Sequence, residues 1–240
     1  MQYLIIMQYR IIFITILLSA ELSAKPVFIG EVLNYSAGFR IFPAGNATLS
    51  MNSDYLDGEL VYLLTSTVTT NSFLSNFYKV RDVVQSWLSS DNLSLIKTVQ
   101  TIREGRYKRD HEARIIGDSL AISIQNIIKL PGEVYDPVAY VYFLRMQKLS
   151  IGNRYHFYSY GETNMKEVFV DVTGMETIRV PAGTFRCFKI EPVSGDNEPL
   201  LKNSGAMKVW LSEDNFHLPI KIEQNTNIGT MVMKLKSVSH

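Results

Sequence analysis

The chain has 240 residues, 46% of them hydrophobic and 11% aromatic, and its 24 basic and 23 acidic side chains leave a net charge of +1. That length supports one medium globular domain with its own core. Near-neutrality without a block of like charge excludes an electrostatic footprint for nucleic acid and favours uncharged or amphipathic partners, while a single cysteine excludes an internal disulfide.

In chain order, the first signal is the apolar run "IIFITILLSA" after Arg10, closed by Glu21 and by the small-residue exit "LSA" ending at Ala24. It is far shorter than the roughly 20 residues that span a bilayer as a helix, and its flanks fit a secretory signal peptide over 1–24. Cleavage is expected at Ala24, with Ala20 as the alternative. Because "MQYLII" is echoed by "MQYRII", Met1 and Met7 are both candidate starts. No Cys follows the apolar run to carry a lipid. The remainder, 25–240, is expected to be a single exported β-rich domain, soluble after cleavage and periplasmic or otherwise associated with the cell envelope.

From residue 28 onward the pattern alternates. Leu33, Tyr35, Ala37 and Phe39 fall on one side and Val32, Asn34, Ser36 and Gly38 on the other, as in a half-buried strand. Pro43-Ala44-Gly45-Asn46 reads as the turn of a hairpin before Ala47, Leu49 and Met51 resume. Further strands are expected over 58–70, 95–105, 106–116 and 120–127, with turn signals at Glu104-Gly105 and Gly117-Asp118. The last third adds six more, from "RYHFYSY" to "GTMVMKLKSV". At least ten strands exceed what a flat open sheet accommodates, so the fold class is mainly β, one antiparallel sheet curled into a half-barrel or closed barrel with one or two short helices. One helix is predicted from the N-cap Asp136 and Pro137, with Val138, Val141, Tyr142, Met146 and Leu149 at helical spacing until Gly152. A second is predicted from Ser72 to about Lys79, with Phe73, Phe77 and Val80 on one face.

The stretch "RVPAGTFRCFKIEP" (179–192) poses the question of chemistry, because it holds the lone cysteine. Pro181 and Gly183 are structural turn residues, after which Cys187 lies within a strand. Of the nearby cations only Lys189 shares its side, Arg186 pointing to the opposite face, and no His is near in sequence, so Cys187 reads as a buried hydrophobe rather than a nucleophile. His111, His156, His217 and His240 show no metal-ligand spacing, and no catalytic or phosphate-binding fingerprint occurs. No catalytic residue, metal ligand or cofactor is therefore assigned.

Taken together, "FIGEVLNYSAGF" (28–39), "IREGRYKR" (102–109), "YVYFLR" (140–145), "VPAGTFRCFKIEP" (180–192) and "MKVWLSEDNFHLPIKIE" (207–223) resemble the exported bacterial proteins grouped as domain-of-unknown-function family 3108. The resemblance covers essentially the whole mature chain. It implies an envelope-associated, mostly β protein, similar in architecture to curved-sheet carriers of lipids or lipoproteins, and it brings no catalytic residue.

Aromatic abundance gives the remaining expectation. A curved sheet can hold an apolar ligand on its concave side, and Tyr140, Tyr142, Phe143, Tyr155, Phe157 and Tyr158 are the candidates to line such a site. The expected function is non-enzymatic binding of a lipid, another amphipathic molecule or an apolar partner segment. The alternative is a scaffold or assembly factor that binds another envelope protein through sheet edges or through the mixed-charge strand face of Arg106, Lys108 and Asp110, which lies opposite Tyr107 and Arg109.

Overall fold

A computed structural model describes residues 28–39, 42–123, 126–161, 164–195, 207–226 and 229–240; the expected signal peptide lies outside them. The strands are β1 (Val32–Phe39), β2 (Phe42–Leu56), β3 (Glu59–Thr70), β4 (Arg81–Ser89), β5 (Leu95–Glu104), β6 (Tyr107–Ile116), β7 (Ser119–Ser123) and β8 (Asn126–Lys129). They continue as β9 (Val134–Tyr135), β10 (Arg154–Gly161), β11 (Asn164–Val180), β12 (Gly183–Ser194), β13 (Met207–Ser212), β14 (Pro219–Thr226) and β15 (Gly229–Ser239). One α-helix, α1 (Ala139–Arg145), sits between β9 and β10.

All fifteen strands belong to one sheet, in the order β8-β7-β6-β5-β4-β3-β2-β1-β15-β14-β13-β12-β11-β10-β9. Neighbours are sequential and antiparallel except that β9 joins β10 in parallel and β1 meets β15. Eleven steps separate β6 from β10 in that order, on the order of 50 Å in a flat sheet. His111 Nε2 on β6 nevertheless lies 2.8 Å from the Tyr160 hydroxyl on β10. The sheet therefore curls until its two ends meet.

The same alternation that marks the strands in sequence fixes the inner face. Across β2 to β6, Met51, Leu64, Ser86, Thr98 and Ala113 form one row of paired positions, and Leu49, Ser66, Val84, Gln100 and His111 form the next. In the other half, Val172 pairs with Ile190, Ile190 with Val209 and Val209 with Ile222, all buried. The second half is thus lined by aliphatic side chains, and the first mixes aliphatic with polar ones.

A bulge between Val172 and Gly174 bends the long β11–β12 hairpin. Its tip crosses the sheet, so that the Ala182 N–H donates to the Leu235 carbonyl of β15 at 3.0 Å, although β15 is three strands away from β12. Pro181 and Ala182 form the turn, and Gly183 follows with φ +141°, a conformation that side-chain-bearing residues resist.

Three local expectations are corrected. Pro43–Asn46 do not form the hairpin turn: β2 already runs through them, and their pairing with β1 absorbs a bulge between Ala37 and Gly38. The segment from Ser72 to Lys79 is not a helix but a loop around a single 3-10 turn, Leu74–Asn76, because Phe73 and Phe77 find no apolar surface and stand exposed. Finally, Asp136 Oδ1 accepts from the N–H groups of Val138 at 2.7 Å and Ala139 at 3.3 Å ahead of the helix, but α1 begins at Ala139 with Val138 at its N-cap, not at Pro137. The helix ends at Arg145, well before Gly152, with the Arg145 side chain meeting Glu31 and its carbonyl accepting from His217.

Candidate functional site

Two arginines define the interior. The first, Arg145 at the end of α1, is buried against Glu31, with side-chain exposures of 2% and 3%. Its Nη1 and Nη2 meet the two Glu31 carboxylate oxygens at 2.6 and 2.9 Å, and its Nε donates to the Phe216 carbonyl at 3.1 Å. The guanidinium also lies 5.1 Å from the Phe28 ring and 5.0 Å from the Tyr142 ring. His217 Nδ1 donates to the Arg145 carbonyl at 3.1 Å, and the Tyr35 hydroxyl donates to the Pro219 carbonyl at 2.8 Å. Each guanidinium nitrogen is engaged, so this arginine is a clasp joining the segment before β1, the helix and the β13–β14 connection. Burial pushes the Tyr35 hydroxyl well above its ordinary range, with the neighbouring Tyr142 adding to it.

The second, Arg109 on β6, projects from the same face as the buried Ala113 and the inward His111. Its Nη2 donates to the Gln100 side-chain oxygen at 2.6 Å, while its Nε is buried without a hydrogen-bond partner. Among the described residues no carboxylate lies within ion-pair distance of it. Asp82 is close enough for the Arg109 charge to lower its pKa, although burial dominates and holds that carboxyl above its usual range. His111, beside Arg109 and hydrogen-bonded to Tyr160, is pushed below its ordinary 6.5, first by burial and then by the Arg109 charge, so it is neutral at neutral pH. Deeper on the same face Gln100 and Thr98 are buried, and the Thr98 hydroxyl has no partner. The arrangement supplies a guanidinium, an amide, an imidazole and two hydroxyls facing inward, a donor-rich set suited to an anionic group. Among the described residues no group of three or more His, Cys, Asp or Glu side chains is placed to hold a metal ion.

A family described as "protein of unknown function (DUF3108)" matches residues 34–236. The chain belongs to the DUF3108 family. Among solved structures, this DUF3108 chain is similar to a β-barrel-like protein of the domain of unknown function DUF1849 from Brucella abortus, with a TM-score of 0.61 at 10% identity over 88% of this chain and 98% of that one. It also aligns with a Bacteroides fragilis protein of YmcC-like fold, at a TM-score of 0.34 and 11% identity over 88% of this chain and 96% of that one. The Brucella similarity shows a shared β-barrel-like fold. No curated protein matches.

Three of the five sequence runs that carry the family resemblance meet at the clasp and a fourth adjoins it, while "IREGRYKR" lies on β5 and β6. Glu31 and Tyr35 come from "FIGEVLNYSAGF", Arg145 from "YVYFLR", and Phe216, His217 and Pro219 from "WLSEDNFHLPIKI". "PAGTFRCFKIEP" adjoins them, since the Glu213 N–H donates to the Arg186 carbonyl at 2.9 Å and the side chains of the two pair at 3.2 Å. Cys187 is fully buried on β12. Burial, with the Asp214 and Glu176 carboxylates adding to it, pushes its thiol up to about 12, which leaves no thiolate at neutral pH.

The aromatic residues singled out from sequence divide in three. Tyr140, Phe143 and Phe157 are brought together around Tyr135, with Tyr140 stacked on Phe157 at 5.3 Å and Phe143 and Phe157 meeting Tyr135 at 5.1 and 5.6 Å; Tyr142 instead belongs to the clasp, where it meets Phe28 at 5.2 Å and the Arg145 guanidinium at 5.0 Å. Tyr155 and Tyr158 are half-buried outside that group, Tyr155 donating to the Lys148 carbonyl at 3.2 Å and Tyr158 lying edge-on to His156. Of the strand-face residues, Arg106, Lys108 and Asp110 are exposed, and Asp110 is held by both terminal contacts of Arg103 at 2.6 and 2.8 Å. Sequence reasoning placed Arg109 opposite that face without singling it out. The signal was there, because Arg109 and His111 alternate in phase with Ala113 and Ile115, the apolar positions of the same strand.

Proposed function

We propose that this protein is a non-enzymatic, exported envelope protein whose curled sheet binds an amphipathic molecule with an anionic group. The observation that carries this reading is Arg109, a guanidinium turned to the concave face with a neutral amide as its partner and its Nε unsatisfied. A cation kept in that state costs stability unless a ligand's negative charge offsets it. Gln100, His111 and Tyr160 are the neighbours that would orient the anionic group. The apolar part would lie toward the aromatic group of Tyr135, Tyr140, Phe143 and Phe157, with Tyr142 at the clasp and Tyr155 and Tyr158 outside that group. These groups do not assemble a catalytic set: the Cys187 thiol is held protonated, the Tyr160 hydroxyl beside His111 has its pKa raised by burial, His156 pairs with Glu167 at an exposed position, and His217 meets a backbone carbonyl.

Native mass spectrometry and solvent extraction of protein purified from the envelope test the reading. The expected result is a co-purifying acidic amphiphile that is lost in Arg109→Gln. Protein that carries no such molecule, or an Arg109→Gln variant that retains it, overturns the proposal.

A further inference from the structure

The end of the curl beside Arg109 carries a second feature, independent of what the interior holds. The loop joining β3 to β4 presents Phe73, Phe77 and Tyr78 with exposures of 69%, 77% and 52%, and Tyr107 at the start of β6 adds a fourth ring at 52%. Phe73 and Phe77 lie 5.7 Å apart and form one apolar point. They are held outward by a hydrogen-bonded loop. The Asn71 N–H donates to the Ala44 carbonyl at 2.8 Å, the Ser75 N–H to Asn71 at 2.9 Å, the Val80 N–H to the Thr70 hydroxyl at 3.0 Å, and the Gly105 N–H to Lys79 at 2.8 Å. The last bond ties the aromatic loop to the β5–β6 turn.

Around this point stand Lys79, Arg81, Arg106 and Lys108, all exposed and none in an ion pair among the described residues, whereas Arg103 and Lys97 beside them are paired with Asp110 and Glu112. Asp82 and Glu104 are the acids beside Tyr78, and both add to the burial that raises its pKa. The four cations come from two segments that only the fold brings together, so no block of charge shows in the sequence.

We infer that this rim is a membrane-docking surface for an anionic bilayer, with Phe73 and Phe77 entering the acyl boundary and Lys79, Arg81, Arg106 and Lys108 meeting lipid phosphates. Exposed aromatic rings on a hydrogen-bonded loop beside unpaired cations combine the two contributions of interfacial binding, apolar insertion and attraction to anionic headgroups. A protein partner for such rings would need a matching pocket, whereas a bilayer accepts a projecting point without one. The charge complementarity therefore selects lipid.

Flotation of the full chain with phosphatidylglycerol-containing vesicles, compared with phosphatidylcholine-only vesicles, tests this. The expected result is binding to the anionic vesicles that weakens with salt, falls by about tenfold or more in Phe73→Ser/Phe77→Ser, and falls similarly in Arg106→Glu/Lys108→Glu. These side chains are exposed, so the thermal midpoint is expected to hold, and the second variant keeps the test open if the first unfolds. Wild-type protein that stays off anionic vesicles, or that crosslinks through Phe77 to a protein and not to lipid, overturns the inference; so does either variant binding as wild type does. Loss of the interior ligand in Arg109→Gln leaves flotation unchanged, which keeps the two proposals separable.

Discussion

Arg145 and Arg109 are the same side chain in opposite states. Arg145 is desolvated completely, but every nitrogen has a partner, its charge is matched by Glu31, and two aromatic rings cover its faces. Arg109 is only half-buried, faces the inside of the curl, and has one neutral partner and one unsatisfied nitrogen. A buried pair with all its hydrogen bonds made specifies structure. A guanidinium left unmatched on a concave face stores binding potential at some cost to the free protein. The difference separates the part of the molecule that holds the fold from the part that is free to recognise something.

The sharpest way to break this contrast is to remove one partner of the clasp. Arg145→Met leaves Glu31 buried without its cation and is expected to lower stability by about 3–5 kcal/mol, read by denaturant unfolding. The double change Glu31→Met/Arg145→Met is expected to cost less than the single one, because no charge is then left unpaired. Next in size is Gly183→Val at the hairpin tip that docks on β15. The residue has φ +141° and an added Cβ would meet the Phe185 ring at 3.4 Å, so a loss of about 1–3 kcal/mol in thermal or chemical unfolding is expected. Cys187→Ser puts a hydroxyl where the sulfur has only the Phe185 carbonyl at 3.6 Å. We expect about 1–2 kcal/mol of destabilisation and no separate loss of envelope function. A Cys187→Ser protein that melts like wild type but fails to complement a deletion strain would assign the thiol a chemical role.

On the recognition side the effects on stability shrink. His111 has its folded-state pKa lowered, first by burial and then by the Arg109 charge, so the folded protein binds its proton less readily than the unfolded chain does. Its contribution is present above the ordinary 6.5 and is lost as pH falls below that value toward the lower folded one. Acid titration of stability is expected to show a shallow limb in that window, absent in His111→Gln, and a limb of unchanged size in the variant would remove His111 from the account.

Much of the sheet was legible because alternation is local: the Leu33, Tyr35 and Ala37 side of β1 is buried as the pattern requires, and the strand count forced curvature. The misreadings arose where local chemistry met a competing tertiary demand. Pro43-Ala44-Gly45 looks like a turn, yet β2 runs through it with Ala44 as the extra residue of a bulge opposite Ala37 and Gly38, and the Gly45 position is too close to the Thr69 carbonyl to hold any side chain. Phe73 and Phe77 have helical spacing, but helicity there needs an apolar partner that the fold does not supply. The clasp left no local trace at all, since Glu31 and Arg145 are 114 residues apart. Arg109 was half legible: its phase showed which face it shares, but only closure of the sheet shows that this face is inside.

The most direct test of the contrast is to purify Arg109→Leu and Arg145→Leu side by side from the envelope, measuring unfolding free energy and bound amphiphile for each. The account predicts that Arg145→Leu loses several kcal/mol, whereas Arg109→Leu unfolds within about 1 kcal/mol of wild type, or above it, and emerges without the acidic amphiphile that wild type carries. An Arg109→Leu protein as unstable as Arg145→Leu, or one that still holds the same amphiphile, would contradict it.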